Sequence, residues 1–75
     1  MQHKLFFLRK FDTKMTQSEV ADYLGISIKT YRDKEKGKAE FTQDEMFALS
    51  ELFQCGIEEI FLPRTHQNGD RKTLV

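Results

Sequence analysis

Apolar residues recur at helical spacing along most of this chain, and polar clusters divide them into five segments. Residues 2–11, QHKLFFLRKF, contain neither Gly nor Pro, and Leu5, Leu8 and Phe11 fall at helical intervals. The spacing predicts a first helix that turns Leu5 and Leu8 toward a core, while Phe6 and Phe7 widen the apolar arc. Either that arc is one broad buried stripe, or one of the two Phe helps form a partner surface. Asp12-Thr13-Lys14 is a polar link. Thr16-Gln17-Ser18-Glu19 then reads as a capping box, the Thr16 hydroxyl accepting from the Glu19 amide while the Glu19 carboxylate reaches back. Val20, Ala21 and Leu24 share one face of this second helix, with Ala21 small enough for a close crossing. Gly25 ends it where a left-handed backbone is required.

Ile26 plugs the turn, Ser27 caps a third helix, and Tyr31 packs inward. The outward side of that helix carries Ile28, Lys29, Arg32 and Asp33, with Lys36 and Lys38 at its far end and Gly37 as the stop. A short helix, a glycine turn and a second helix of this kind fit a helix-turn-helix whose second member can lie in a DNA major groove. A second capping box, Thr42-Gln43-Asp44-Glu45, opens a fourth helix over about 43–53. Met46, Phe47, Leu49, Leu52 and Phe53 are its expected buried residues. After a break at Cys55-Gly56, a short helix over 57–61 should close the core with Ile57, Ile60 and Phe61, limited by Pro63. Residues 64–75, RTHQNGDRKTLV, lack a core pattern, so the expected domain spans 1–63 and is followed by a flexible polar tail. The alternative makes Asn68-Gly69 a turn and 72–75 a short strand used in dimerisation.

Composition narrows the classes. Seventy-five residues suffice for one small domain, and 39 % hydrophobic with 12 % aromatic residues suffices for one core. The longest apolar run, Leu5–Leu8, falls far short of the roughly 20 residues of a membrane span. It also falls short of the about 7–15 apolar residues of a secretory signal. A lone Cys55 cannot form an internal disulfide, which suits a reducing cytoplasm, and an inert corner residue is its expected role. His3 and His66 are too far apart in sequence to begin a metal constellation. The net charge is zero but unevenly laid out: residues 1–38 hold nine Lys and Arg against five acids, and 39–62 hold six acids and no base. A basic face toward phosphates is therefore compatible with neutrality, as are ordinary solvated helix faces.

The ordered fragments Thr16-Gln17, Glu19-Val20-Ala21, Leu24-Gly25-Ile26-Ser27, Thr30-Tyr31 and Glu35-Lys36-Gly37-Lys38 resemble the phage repressor and Cro-type helix-turn-helix family, the XRE family. Leu49, Leu52, Phe53 and Ile57-Glu58-Glu59-Ile60-Phe61 continue the resemblance, which covers roughly residues 4–62. It implies an all-α, compact five-helix domain with a central helix-turn-helix, lambda-repressor-like, that binds operator DNA as a homodimer and needs no cofactor. It also implies roles. Ser27, Ile28, Lys29, Arg32 and Asp33 would lie nearest the bases, and Gln17, Thr30, Lys36 and Lys38 would contact phosphates. A first-helix arginine paired with Glu35 is also implied, Arg9 or its rival Lys10 filling that place. Two positions depart from the pattern. Lys34 stands where the family carries an apolar residue, its stem expected to pack and its ammonium to reach water. The link before Thr16 is one residue longer than usual.

Three functions compete at this point. A sequence-specific regulator of phage or bacterial mobile-element type follows from the resemblance. An interaction module of the same fold, acting on a partner repressor as antagonist, co-repressor or antitoxin-like protein, follows from the acidic 39–62 segment and the surplus Phe6 and Phe7. An enzyme is disfavoured, because no nucleophile–base pair, glycine-rich phosphate loop or carboxylate pair stands out.

Overall fold

Local signals start and stop the three longest helices of the computed structural model, which describes residues 1–61. Over that span the chain is all-helical, with α1 at His3–Phe7, α2 at Gln17–Leu24, α3 at Ile28–Lys36, α4 at Gln43–Phe53 and α5 at Ile57–Ile60. The expected boundary at residue 63, the tail and its alternative strand lie outside the described residues. Both capping boxes form. Thr16 Oγ1 accepts from the Glu19 amide at 3.0 Å and Glu19 Oε1 from the Thr16 amide at 2.8 Å, and Thr42 and Glu45 repeat the pattern. Each such cap is worth about 1 kcal/mol. Gly25 adopts φ +75° at the end of α2, and the Ile26 and Gly25 amides reach back to the Ala21 and Asp22 carbonyls. A Cβ at Gly25 would meet nothing within 4 Å, so its backbone angle, not crowding, calls for glycine.

The first helix departs from expectation. Regular α-helix ends at Phe7, and Leu8–Asp12 form one π-helical turn, with the Thr13 amide bonding the Leu8 carbonyl five residues back. Thr13 Oγ1 donates to the Leu8 and Arg9 carbonyls, and Lys14, at φ +58°, reverses the chain. The turn is wider than an α-helical one, closing over five residues instead of four. It also removes Phe11 from the face shared by Leu5 and Leu8: Phe11 is 57 % exposed. Phe7 is exposed beside it, their rings 5.6 Å apart, while Phe6 is half-buried.

Leu5, Leu8, Val20, Ala21, Tyr31, Phe41, Leu49, Phe53, Ile60 and Phe61 form the core, with Leu24, Ile26, Met46, Leu52 and Ile57 partly buried against it. Phe47 was expected there and is instead 54 % exposed. It stands two positions before Leu49, and two residues rotate an α-helix by about 200°, so the side that buries Leu49 turns Phe47 outward. Phe41, which lies between helices, takes the aromatic role instead, between Tyr31 and Phe61 at ring distances of 6.1 and 5.6 Å.

Cys55 behaves as an inert corner residue. Its thiol donates to Glu59 Oε1 at 3.0 Å, and that bond, with some burial, pushes the thiol pKa up and away from the reactive thiolate. Among the described residues no group of His, Cys, Asp and Glu is placed to hold a metal ion, and no helix is long and apolar enough to cross a membrane.

Candidate nucleic-acid interface

The angle between α2 and α3 is held from beneath by one buried carboxylate. Glu35, near the end of α3, is 2 % exposed and accepts from four donors. Arg9 Nε lies 2.7 Å from its Oε2 and Arg9 Nη2 3.4 Å from its Oε1, a two-pronged ion pair that joins the π turn to α3. Of the two rivals for this place, Arg9 fills it; Lys10 is exposed. Tyr31 OH donates to Oε2 at 2.8 Å, and Gln17 Nε2 to Oε1 at 2.9 Å. The remaining Arg9 prong, Nη1, donates to the Met15 carbonyl at 2.9 Å, so the guanidinium is satisfied on both sides.

These contacts set the protonation of the cluster. Burial alone would raise the Glu35 carboxyl, but hydrogen bonds from Arg9, Gln17 and Tyr31 together hold it below the usual carboxylate range. Burial and the neighbouring Glu35 charge push the Tyr31 phenol well above its ordinary value, so it remains a donor. A carboxylate with a depressed folded pKa stabilises in full above its unfolded value, about 4.3, and loses that contribution as pH falls through the lower folded value. Urea midpoints should therefore hold from pH 7 to about 5 and fall progressively below. A Glu35→Gln variant should show a shallower acid slope; equal slopes would remove Glu35 from the account.

Lys34 does not behave as the resemblance led one to expect. Its ammonium turns to Glu45 Oε1, at 2.6 Å, with both side chains largely buried, and sits 5.8 Å from the centre of the Phe41 ring. The same Glu45 completes the cap of α4, so one carboxylate docks α4 on α3 and starts it. With Arg9 and Lys34 neutralised in this way, the positive charge that α3 and the residues just beyond it offer outward comes from Lys29, Arg32, Lys36 and Lys38.

Those four are all exposed, as are Ser27, Ile28 and Thr30. Ile28, 36 % exposed, opens α3 on the outward side. Ser27 caps the helix: its Oγ accepts from the Thr30 amide at 3.1 Å and donates to Thr30 Oγ1 at 2.9 Å. The Lys29 side chain is 83 % exposed and its Nζ lies 3.3 Å from Asp33 Oδ2, a surface pair one turn apart and worth little to stability. Arg32 Nε donates to Gln17 Oε1 at 3.2 Å, which ties the two helices at their outer edge. At the far end Gly37, at φ +91°, lets the Lys38 amide bond the Asp33 carbonyl at 2.8 Å. The base-reading candidates and Thr30 thus share the capped α3 with Lys36, Lys38 follows its C-terminal cap, and Gln17 sits apart, half-buried at the start of α2.

Sequence reasoning missed the inward engagement of Gln17 and the Lys34–Glu45 pair. Neither carries a local signal, because each joins residues from different helices. No curated protein and no solved structure matches the chain. The helix-turn-helix family HTH_3 matches residues 7–60, which takes in the π turn, α2, α3, α4 and α5. The chain belongs to this family of XRE-type, DNA-binding helix-turn-helix proteins, in a lambda-repressor-like fold.

Proposed function

We propose that the protein is a sequence-specific transcriptional regulator of phage or bacterial mobile-element type, acting in the bacterial cytoplasm as a homodimer on a palindromic operator. The observation that carries this reading is the outward face of α3, where Ile28, Lys29 and Arg32 stand exposed and Asp33 half-buried on a helix capped at both ends. Arg32 and Lys29 supply donors for guanine O6 and N7, and Ile28 an apolar surface for a thymine methyl. Asp33 accepts from a cytosine amino group or, by its charge, rejects other bases, and the Ser27 hydroxyl lies at the base-proximal end. Thr30, Lys36 and Lys38 contact phosphates, together with Gln17 through the unbonded amides at the start of α2.

Selection of bound sequences from a random DNA pool at two salt concentrations tests it. A palindrome with half-sites about 34 Å apart is the expected result. Lys29→Ala and Arg32→Ala should each lose about tenfold in preference at one base pair. Lys38→Ala should instead weaken all sequences alike and reduce the salt slope by about 1. No enrichment at either salt would sink the proposal.

A second reading, a module that binds a partner repressor, draws on Phe7, Phe11 and Phe47, which are 53 %, 57 % and 54 % exposed. Protein that shifts no DNA yet co-elutes with a basic repressor from its own source would favour it.

A further inference from the structure

The Gln17 amide is hydrogen-bonded at both ends. Its Nε2 donates to Glu35 Oε1 at 2.9 Å, and its Oε1 accepts from Arg32 Nε at 3.2 Å. The ionised Glu35 carboxylate can only accept, so it fixes which way the amide points: nitrogen inward, oxygen outward. Glu35 is itself immobilised by Arg9 and Tyr31, so the outward oxygen is held by groups that are almost wholly buried. That oxygen meets Arg32 through Nε, the nitrogen on the side of its guanidinium. Among the described residues, Arg32 Nη1 and Nη2 make no hydrogen bond within the protein, which leaves the forked end open.

We infer that Gln17 is a positioning residue for Arg32, which it orients so that the two Nη groups face one base edge together. The inference rests on the regulator reading and gives Gln17 a part in choosing sequence that its place outside α3 conceals. An unrestrained arginine loses many rotamers when it engages a base; one held at Nε has lost part of that freedom before DNA arrives. The outward oxygen, being an acceptor beside a cation, is better suited to this than to a phosphate, which needs donors. Phosphate contact at the start of α2 then falls to the backbone amides.

A double-mutant cycle on the selected operator tests this, with Gln17→Met, Arg32→Ala and the two combined, each first checked for native helix content by circular dichroism. Gln17→Met keeps the length of the side chain and removes both polar ends. It should reduce preference about threefold to tenfold at the base pair read by Arg32 and leave other positions unchanged. The combined variant should be no worse than Arg32→Ala, because Gln17 acts only through that arginine. Uniform weakening on all sequences, with the salt slope unchanged because no charge is lost, would make Gln17 a phosphate contact and overturn the inference; additive losses would do the same. In the free protein, an Arg32 Nε–H resonance whose exchange is slowed, and quickens in Gln17→Met, supports it; one indifferent to the substitution overturns it. If the wild type selects no sequence, the regulator reading fails and this inference with it. If it selects one and the Arg32 position ignores Gln17, the inference alone fails.

Discussion

Glu35→Ala is expected to cost about 3–5 kcal/mol, because it leaves the Arg9 guanidinium, 6 % exposed, without its counter-charge. Tyr31 OH and Gln17 Nε2 lose their acceptor in the same step. A domain of this length has roughly 4–11 kcal/mol of total stability, so the variant should be largely or wholly unfolded at the warm end of its range. Arg9→Met combined with Glu35→Leu should recover much of the loss, since two apolar side chains remove both buried charges together. Urea unfolding followed by circular dichroism reads all three proteins. A Glu35→Ala midpoint close to wild type would mean that water reaches Arg9, and the buried-cluster description would be wrong.

Phe41→Ala should lower stability by about 3–5 kcal/mol, the usual cost of deleting a buried aromatic ring. The ring is 6 % exposed, touches the fully buried Tyr31 on one side and Phe61 on the other, and lies beneath the Lys34 ammonium. Its loss therefore opens a cavity between α3 and the end of the chain's described part and removes the face that Lys34 covers. Phe41→Leu should retain a good part of the stability, whereas Phe47→Ala, a deletion of the same size on the exposed side of α4, should stay within about 0.5 kcal/mol. Thermal melts of the three variants rank them. Equal losses at 41 and 47 would refute the assignment of inside and outside.

The contrast between those two phenylalanines marks where sequence reading stops. Helix limits were legible because their causes are local: Thr16, Ser27 and Thr42 bond amides three residues ahead, and Gly25 and Gly37 take backbone angles that favour glycine. The burial of Phe41 also had a local signal. It stands just before the Thr42 cap and five residues ahead of Met46, the fourth residue of α4; Met15 stands likewise before Thr16, five residues ahead of Val20, the fourth residue of α2. An apolar residue directly before a capping box is a staple to the helix that follows. Phe47 is misleading because α4 carries more large apolar side chains than its inward face can bury. The outward face of α3 could be read from Tyr31 alone, since one inward residue orients a whole helix. The contacts of Gln17 and Lys34 could not be, because they depend on which helix ends approach one another in space.

The π turn has a consequence for how the first helix is joined to α2. An added residue in an α-helix carries everything beyond it around the axis by about 100°. Here the wider turn is confined to Leu8–Asp12, and the joint is sealed across it: the Arg9 carbonyl accepts from the Met15 amide at 2.8 Å while Arg9 Nη1 returns to the Met15 carbonyl. Upstream of the joint Leu5 keeps its place in the core; downstream Thr16 still caps a correctly aimed α2. One arginine thus works as both a lock on α3 and a splint across the widened turn.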